Sequence, residues 1–107
     1  MAEPDKLKIC AKILAALREA EDGWPFLYPV DSKALPDYYR IIPTPMDLTT
    51  IQRNLKQGKY KTISAFSEDV NQIFLNCKHY NTAKAPVYKA GQRLQKLFNQ
   101  KKREFNL

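Results

Sequence analysis

Apolar residues recur every three to four positions along four stretches of this 107-residue chain, and a long segment between the first two breaks the rhythm. Leu7, Cys10, Ile13, Leu14 and Leu17 form one face of a helix expected over about residues 4–21. Pro4 suits its first turn, Lys6, Lys8, Lys12 and Arg18 fall mostly on the opposite face, and Gly23 is placed to end it. Asp47 is an N-cap for a second helix, 47–57, with Leu48, Ile51 and Leu55 inward and Gly58 as terminator. Thr62 or Ser64 caps a third, 62–80. Its set Ile63, Phe66, Val70, Ile73, Phe74, Cys77 and Tyr80 is the longest helical repeat in the chain. After a turn over 81–86 a fourth helix, 87–105, turns Val87, Ala90, Gly91, Leu94, Leu97, Phe98 and Phe105 inward. Gly91 costs such a helix about 1 kcal/mol and marks a close helix crossing. No segment alternates with period two, so the expected class is all-α. Short connections predict antiparallel neighbours in an up-down four-helix bundle.

The exception is the connection 22–46. Pro25, Pro29, Pro36, Pro43 and Pro45 remove backbone donors and interrupt any helix. Yet Trp24, Phe26, Leu27, Tyr28, Val30, Leu35, Tyr38, Tyr39, Ile41 and Ile42 make it strongly apolar. A polar loop of about 25 residues is a linker, whereas an aromatic one packs on the domain and lines something. Pro36 to Tyr39 is read as one helical turn inside it. In an up-down bundle the first and third connections share an end. The aromatic loop and the turn 81–86 therefore meet there, with Asn81 opening the turn. Asn81 is either a helix-end cap serving local backbone groups or an amide directed into a cavity.

Charge and composition narrow the functions. Hydrophobic residues make up 44% of the chain, which places it among folded domains of one modest core. No apolar run approaches the ~20 residues of a membrane span, and the N-terminus lacks a secretory apolar region. The net charge is +7. Acidic residues gather at 19–47 (Glu19, Glu21, Asp22, Asp31, Asp37, Asp47), while 52–103 is basic apart from Glu68 and Asp69. The first attracts a basic partner and the second a polyanion, although an ordinary solvated helix surface is a commoner source of such charge than a binding patch. Cys10 and Cys77, with His79 as the single histidine, make neither a metal set nor a disulfide framework and read as buried thiols. The carboxylates are scattered, and no nucleophile motif or phosphate-binding glycine loop occurs, so no enzyme activity and no cofactor are expected. The clusters Arg53, Lys56, Lys59, Lys61 and Lys101–Arg103 lack the aromatic interleaving of a single-strand reader, leaving weak non-specific DNA contact as the nucleic-acid expectation.

A slot walled by apolar residues with one amide at its floor suits a neutral ligand with an aliphatic stem and a terminal carbonyl. A free lysine ammonium is costly to desolvate there, and acetylation removes that charge and creates the acceptor. At this point the ordered set Trp24-Pro25-Phe26-Leu-Tyr-Pro-Val30-Asp31, Leu35-Pro36-Asp37-Tyr38-Tyr39, Pro45-Met46-Asp47-Leu48 and Asn76-Cys77-Lys-His-Tyr80-Asn81 resembles the hallmarks of bromodomains, over essentially the whole chain. The resemblance implies a left-handed four-helix bundle, a single domain over 1–107. It implies a nuclear chromatin-reader module that recognises acetyl-lysine without catalysis, on histone tails or other acetylated proteins, as a monomer.

Position by position, the resemblance implies that Asn81 donates to the acetyl carbonyl and Tyr38 reaches the same oxygen through a water. Trp24, Pro25 and Phe26 form a hydrophobic shelf, with Phe26 against the acetyl methyl. Val30 and Leu35 line the loop side, Val87 is the gatekeeper, and Tyr80 and Cys77 form the helix-side wall. For Tyr80 and Cys77 a plain core role stands beside this, for Trp24 a lid over the first helix, and Tyr39 is assigned to packing. Departures from the family's usual pattern are Tyr28, Pro43, Lys84 at the rim, and a small gatekeeper in Val87. Two further readings remain: a basic module that grips nucleic-acid backbone, and a scaffold that binds a protein through Trp24–Tyr28.

Overall fold

The computed structural model describes residues 3–107, and every regular element among them is helical. Helix α1 spans Glu3–Glu19, a 3-10 segment follows at Glu21–Phe26, and the short α2 is Tyr38–Ile41. Helices α3 (Leu48–Lys56), α4 (Ile63–Tyr80) and α5 (Pro86–Glu104) complete the bundle. The four long helices are those the apolar spacing predicts. The core joins one stripe from each: Ile13 and Leu17, Leu48 and Ile51, Phe66 and Val70, Leu94 and Phe98, all at most 1% exposed. Phe98 stands edge-on to Phe66 and tilted against Phe74, at centroid distances of 6.4 and 6.2 Å. Burying each such side chain contributes about 1.5–3 kcal/mol.

The helix ends follow from capping chemistry. The Asp47 carboxylate accepts the Thr50 N–H at 2.9 Å and the Thr50 hydroxyl at 2.6 Å. Gly58, at φ 71°, supplies the left-handed residue after α3. Of the two candidates for the start of α4, Thr62 is the cap, accepting the Ala65 N–H at 3.1 Å. Pro86 is the first residue of α5 rather than the last of the turn, where a proline's missing N–H is no loss.

Three expectations need correction. The first helix stops at Glu19, because Ala20 turns extended (ψ 143°), and Gly23 is not its terminator. Gly23 lies buried in the 3-10 segment, where a Cβ would come within 2.2 Å of the Leu17 carbonyl oxygen. Its role is to let one backbone approach another. The connection 22–46 contains the end of the 3-10 segment besides the one helical turn expected, and that turn, α2, sits at Tyr38–Ile41 rather than Pro36–Tyr39. Tyr60, absent from the apolar pattern, is a core residue at 5% exposure.

The long connection is tied down at several points. Thr49 N–H donates to the Leu27 carbonyl at 3.0 Å, and the buried Asn76 amide of α4 donates to the Thr44 carbonyl at 2.8 Å. Arg93 of α5 grips Asp22 with Nε and Nη2, the shortest contact 2.9 Å. Ile42, near the connection's end, is only 1% exposed.

Candidate binding site

At the end of the bundle where this connection meets the turn after α4, a slot of about 210 Å³ opens. The connection contributes Trp24, Pro25, Phe26, Tyr28, Val30, Leu35, Tyr38 and Met46; α4 and its end contribute Ile73, Cys77, Tyr80 and Asn81; α5 contributes Val87. Every site residue singled out from the sequence is therefore on its wall. Met46 and Ile73 were not singled out. Ile73 had a signal, since it lies one turn before Cys77 on the same apolar stripe. Met46 belongs to the Pro45-Met46-Asp47-Leu48 motif, but nothing local separates a slot methionine from a core one.

The wall residues are held by hydrogen bonds to one another and to their neighbours Asp37 and Tyr39. Tyr39 donates its hydroxyl to the Val30 carbonyl, which closes the connection on itself. Tyr80 donates to Asp37 Oδ1 at 2.7 Å, and its ring meets Tyr38 edge-on with centroids 4.8 Å apart. The Cys77 thiol donates to the Val87 carbonyl at 3.4 Å, linking α4 to the head of α5. Gly91 belongs to the same junction: a Cβ there would lie 2.8 Å from Cys77 Sγ and 3.4 Å from the Phe26 ring. The close crossing expected at Gly91 is thus where the slot's floor is built. Trp24 and Tyr28 stand 71% and 65% exposed at the mouth, while Phe26 and Cys77 are buried and belong to both core and slot. Trp24 is no lid sealed over α1.

Asn81 follows α4 as its C-cap in extended conformation (φ −99°, ψ 149°). Its backbone N–H and its side-chain Nδ2 both donate to the Cys77 carbonyl, each at 3.1 Å. The cap reading is therefore correct. That bond uses one of the two amide N–H groups; Nδ2 also lies 3.8 Å from the Cys77 sulfur, a weak acceptor. Asn81 caps its helix and lines the slot with the same side chain.

The slot carries no formal charge. Burial pushes the Tyr38 hydroxyl and the Cys77 thiol up from their ordinary pKa values, the latter against the Asn81 amide and Lys78, which act the other way. The bond to Asp37 raises Tyr80. All three stay protonated at neutral pH, and no Asp, Glu, Lys or Arg lines the slot. Thr82, Ala83 and Lys84 are exposed and lie off its wall.

The family model for the bromodomain matches residues 10–93. The chain belongs to the bromodomain family. It is 42% identical over 95 residues to bromodomain adjacent to zinc finger domain protein 2B of Gallus gallus, covering 89% of this chain and 4% of that protein. With bromodomain-containing factor 2 of Saccharomyces cerevisiae the identity is 42% over 99 residues, 88% of this chain and 16% of that one. The solved bromodomain from human BAZ1A superposes with a TM-score of 0.92 at 35% identity, covering 94% of both chains. The bundle is thus the left-handed up-down one of this family. The chain spans only a small part of these curated relatives. Bromodomains are chromatin-associated acetyl-lysine reader modules.

The remaining surface sorts its charges. In the basic tail, Lys101 pairs with Glu104 at 3.3 Å and the Lys102 ammonium sits 5.4 Å from the Phe98 ring centroid. A polar groove between α4 and α5 instead gathers Lys78, Lys89, Arg93 and Lys96 with Gln92, Gln95 and Asn99. Among the described residues no cluster of His, Cys, Asp and Glu has metal-binding spacing, and no helix is long and apolar enough to cross a membrane.

Proposed function

We propose that the slot binds acetylated lysine on histone tails and that the chain is the non-catalytic, monomeric reading domain of a larger nuclear chromatin protein. The observation that carries this is the pairing of an uncharged apolar slot with an Asn81 amide whose one strong acceptor is the Cys77 carbonyl, its other contact being the weakly accepting Cys77 sulfur at 3.8 Å. Such a slot rejects a lysine ammonium, whose desolvation is unpaid by any counter-charge, and accepts its neutral acetamide. Asn81 donates to the acetyl carbonyl. Tyr38 reaches the same oxygen through a water, Phe26 packs on the methyl, and Val30, Leu35, Tyr80, Cys77 and Val87 hold the stem. Trp24 and Pro25 shelve the flanking peptide. A protonated, hydrogen-bonded Cys77 fits wall material better than a nucleophile. Calorimetry with acetylated and unmodified histone-tail peptides tests the reading: saturable binding of the acetylated form alone is expected, and equal affinity for both overturns it.

A second, compatible reading concerns DNA. The groove of Lys78, Lys89 and Lys96 between α4 and α5 offers cations and amide donors to a phosphate backbone. It supports weak, sequence-independent contact beside the tail-binding slot.

A further inference from the structure

A second groove lies between α1 and α3 and shares no residue with the acetyl-lysine slot. Its volume is about 320 Å³. Leu7, Leu14 and Leu55 form its apolar floor, and Ala11 and Ala15, both exposed, leave the trough that longer side chains would fill. Lys8 on one bank and Lys56 on the other stand exposed, and neither meets a carboxylate among the described residues. Helix α3 carries no acidic residue between Leu48 and Lys56. The groove is therefore apolar below and cationic at both rims.

We propose that this groove docks an acidic amphipathic helix of a partner protein, and that the domain is a two-site module. The distance from Leu7 to Ala15 along α1 is about 12 Å, which accommodates two to three turns of such a helix. Apolar residues at i, i+4 and i+7 enter the trough over Ala11 and Ala15, and carboxylates on the flanks meet Lys8 and Lys56. Nucleic acid fits less well: a phosphate backbone has nothing to bury against leucines, and the polar α4–α5 groove offers it amides and cations. Because the two sites share no wall, a partner helix and an acetylated tail bind at once.

The test titrates the labelled domain by two-dimensional NMR with a synthetic peptide of about three helical turns, leucines at i, i+4 and i+7 and glutamates flanking them. Saturable shifts confined to Leu7–Ala15 and Gln52–Lys56 are expected. A control peptide with lysine in place of each glutamate is expected not to bind. Ala15→Leu fills the trough and weakens binding about tenfold or more; Lys8→Glu with Lys56→Glu weakens it roughly five- to tenfold and reverses the salt dependence. Neither variant moves affinity for an acetylated histone peptide by more than about twofold, so failure here is separable from failure of the acetyl-lysine reading. Since Ala15 is exposed, thermal unfolding of Ala15→Leu is expected to match the parent. Equal binding of the basic peptide, shifts mapping elsewhere, or indifference to Ala15→Leu overturns the proposal. So does duplex DNA that displaces the peptide and is itself insensitive to Ala15→Leu.

Discussion

The side-chain amide of Asn81 has two N–H groups, and the Cys77 carbonyl takes one of them. Asn81→Ala is therefore expected to do two separable things. It removes the donor to the acetyl carbonyl, weakening acetyl-peptide binding by about 1–3 kcal/mol in calorimetry. It also removes the cap, lowering stability by about 0.5–1 kcal/mol in urea unfolding. Tyr38→Phe should weaken binding less, because a water-mediated contact is easier to replace. If Asn81→Ala loses stability but keeps affinity, the residue is a cap and nothing more. Tyr60 makes a pH prediction. Its hydroxyl donates to Asp69 at 2.6 Å and accepts from Asn54 at 3.2 Å. Burial and the Asp69 bond raise its pKa well above the ordinary tyrosine value. A raised folded-state pKa gives stability that is fully present below about pH 10, where the unfolded tyrosine still holds its proton, and is lost as pH climbs further. Tyr38 and Tyr80 act in the same sense. Urea midpoints between neutral and strongly alkaline pH should fall steeply for the parent and less steeply for Tyr60→Phe. Identical slopes would remove Tyr60 from the account.

At the scale of elements, apolar spacing was enough to place α1, α3, α4 and α5, because each must bury one stripe and the stripe is written every three to four residues. It missed what depends on a neighbour. The 3-10 segment is too short to show a period, the turn at α2 begins two residues later than the sequence predicts, and Leu27, Thr44 and Asp22 are held by bonds from α3, α4 and α5. Asn76 interrupts the apolar face of α4 for the same reason: its amide straps the long connection at Thr44, a partner 32 positions away. Gly91 was legible as a close crossing, but not as the contact between α5 and Cys77 that shapes the slot. Gly91→Ala is expected to gain about 1 kcal/mol of helix propensity and lose more to the 2.8 Å clash with Cys77 Sγ, a net loss of about 1–2 kcal/mol in thermal unfolding. Adding Cys77→Ala should recover most of that loss. A Gly91→Ala domain as stable as the parent would mean that α5 shifts freely, and its acetyl-peptide affinity would then report the slot's tolerance.

At the scale of the whole molecule the net charge of +7 is visible in the composition, but its usable part is not. The tail lysines Lys101 and Lys102 are engaged by Glu104 and Phe98, while Lys78, Lys89 and Lys96, scattered in sequence, face one groove. Fluorescence titration with duplex DNA is expected to give weak binding that falls steeply with salt. Replacing Lys78, Lys89 and Lys96 by Ala should flatten that dependence, whereas replacing Lys101 and Lys102 should alter it little. The sequence by itself determined the four long helices, the cap at Asp47, and the residues with which two distant connections meet at one end. Those are consequences of local periodicity and of up-down connectivity. Only the tertiary structure decided that Asn81 is cap and slot wall together, that Gly23 is a point of close approach, that Gly91 meets Cys77, and that Met46 and Ile73 belong to the wall. It alone decided that Ala11 and Ala15 of α1 lie with Gln52, Leu55 and Lys56 of α3 along one open trough. Each of these turns on what lies opposite a residue in space, and a chain read along its own length carries no record of that.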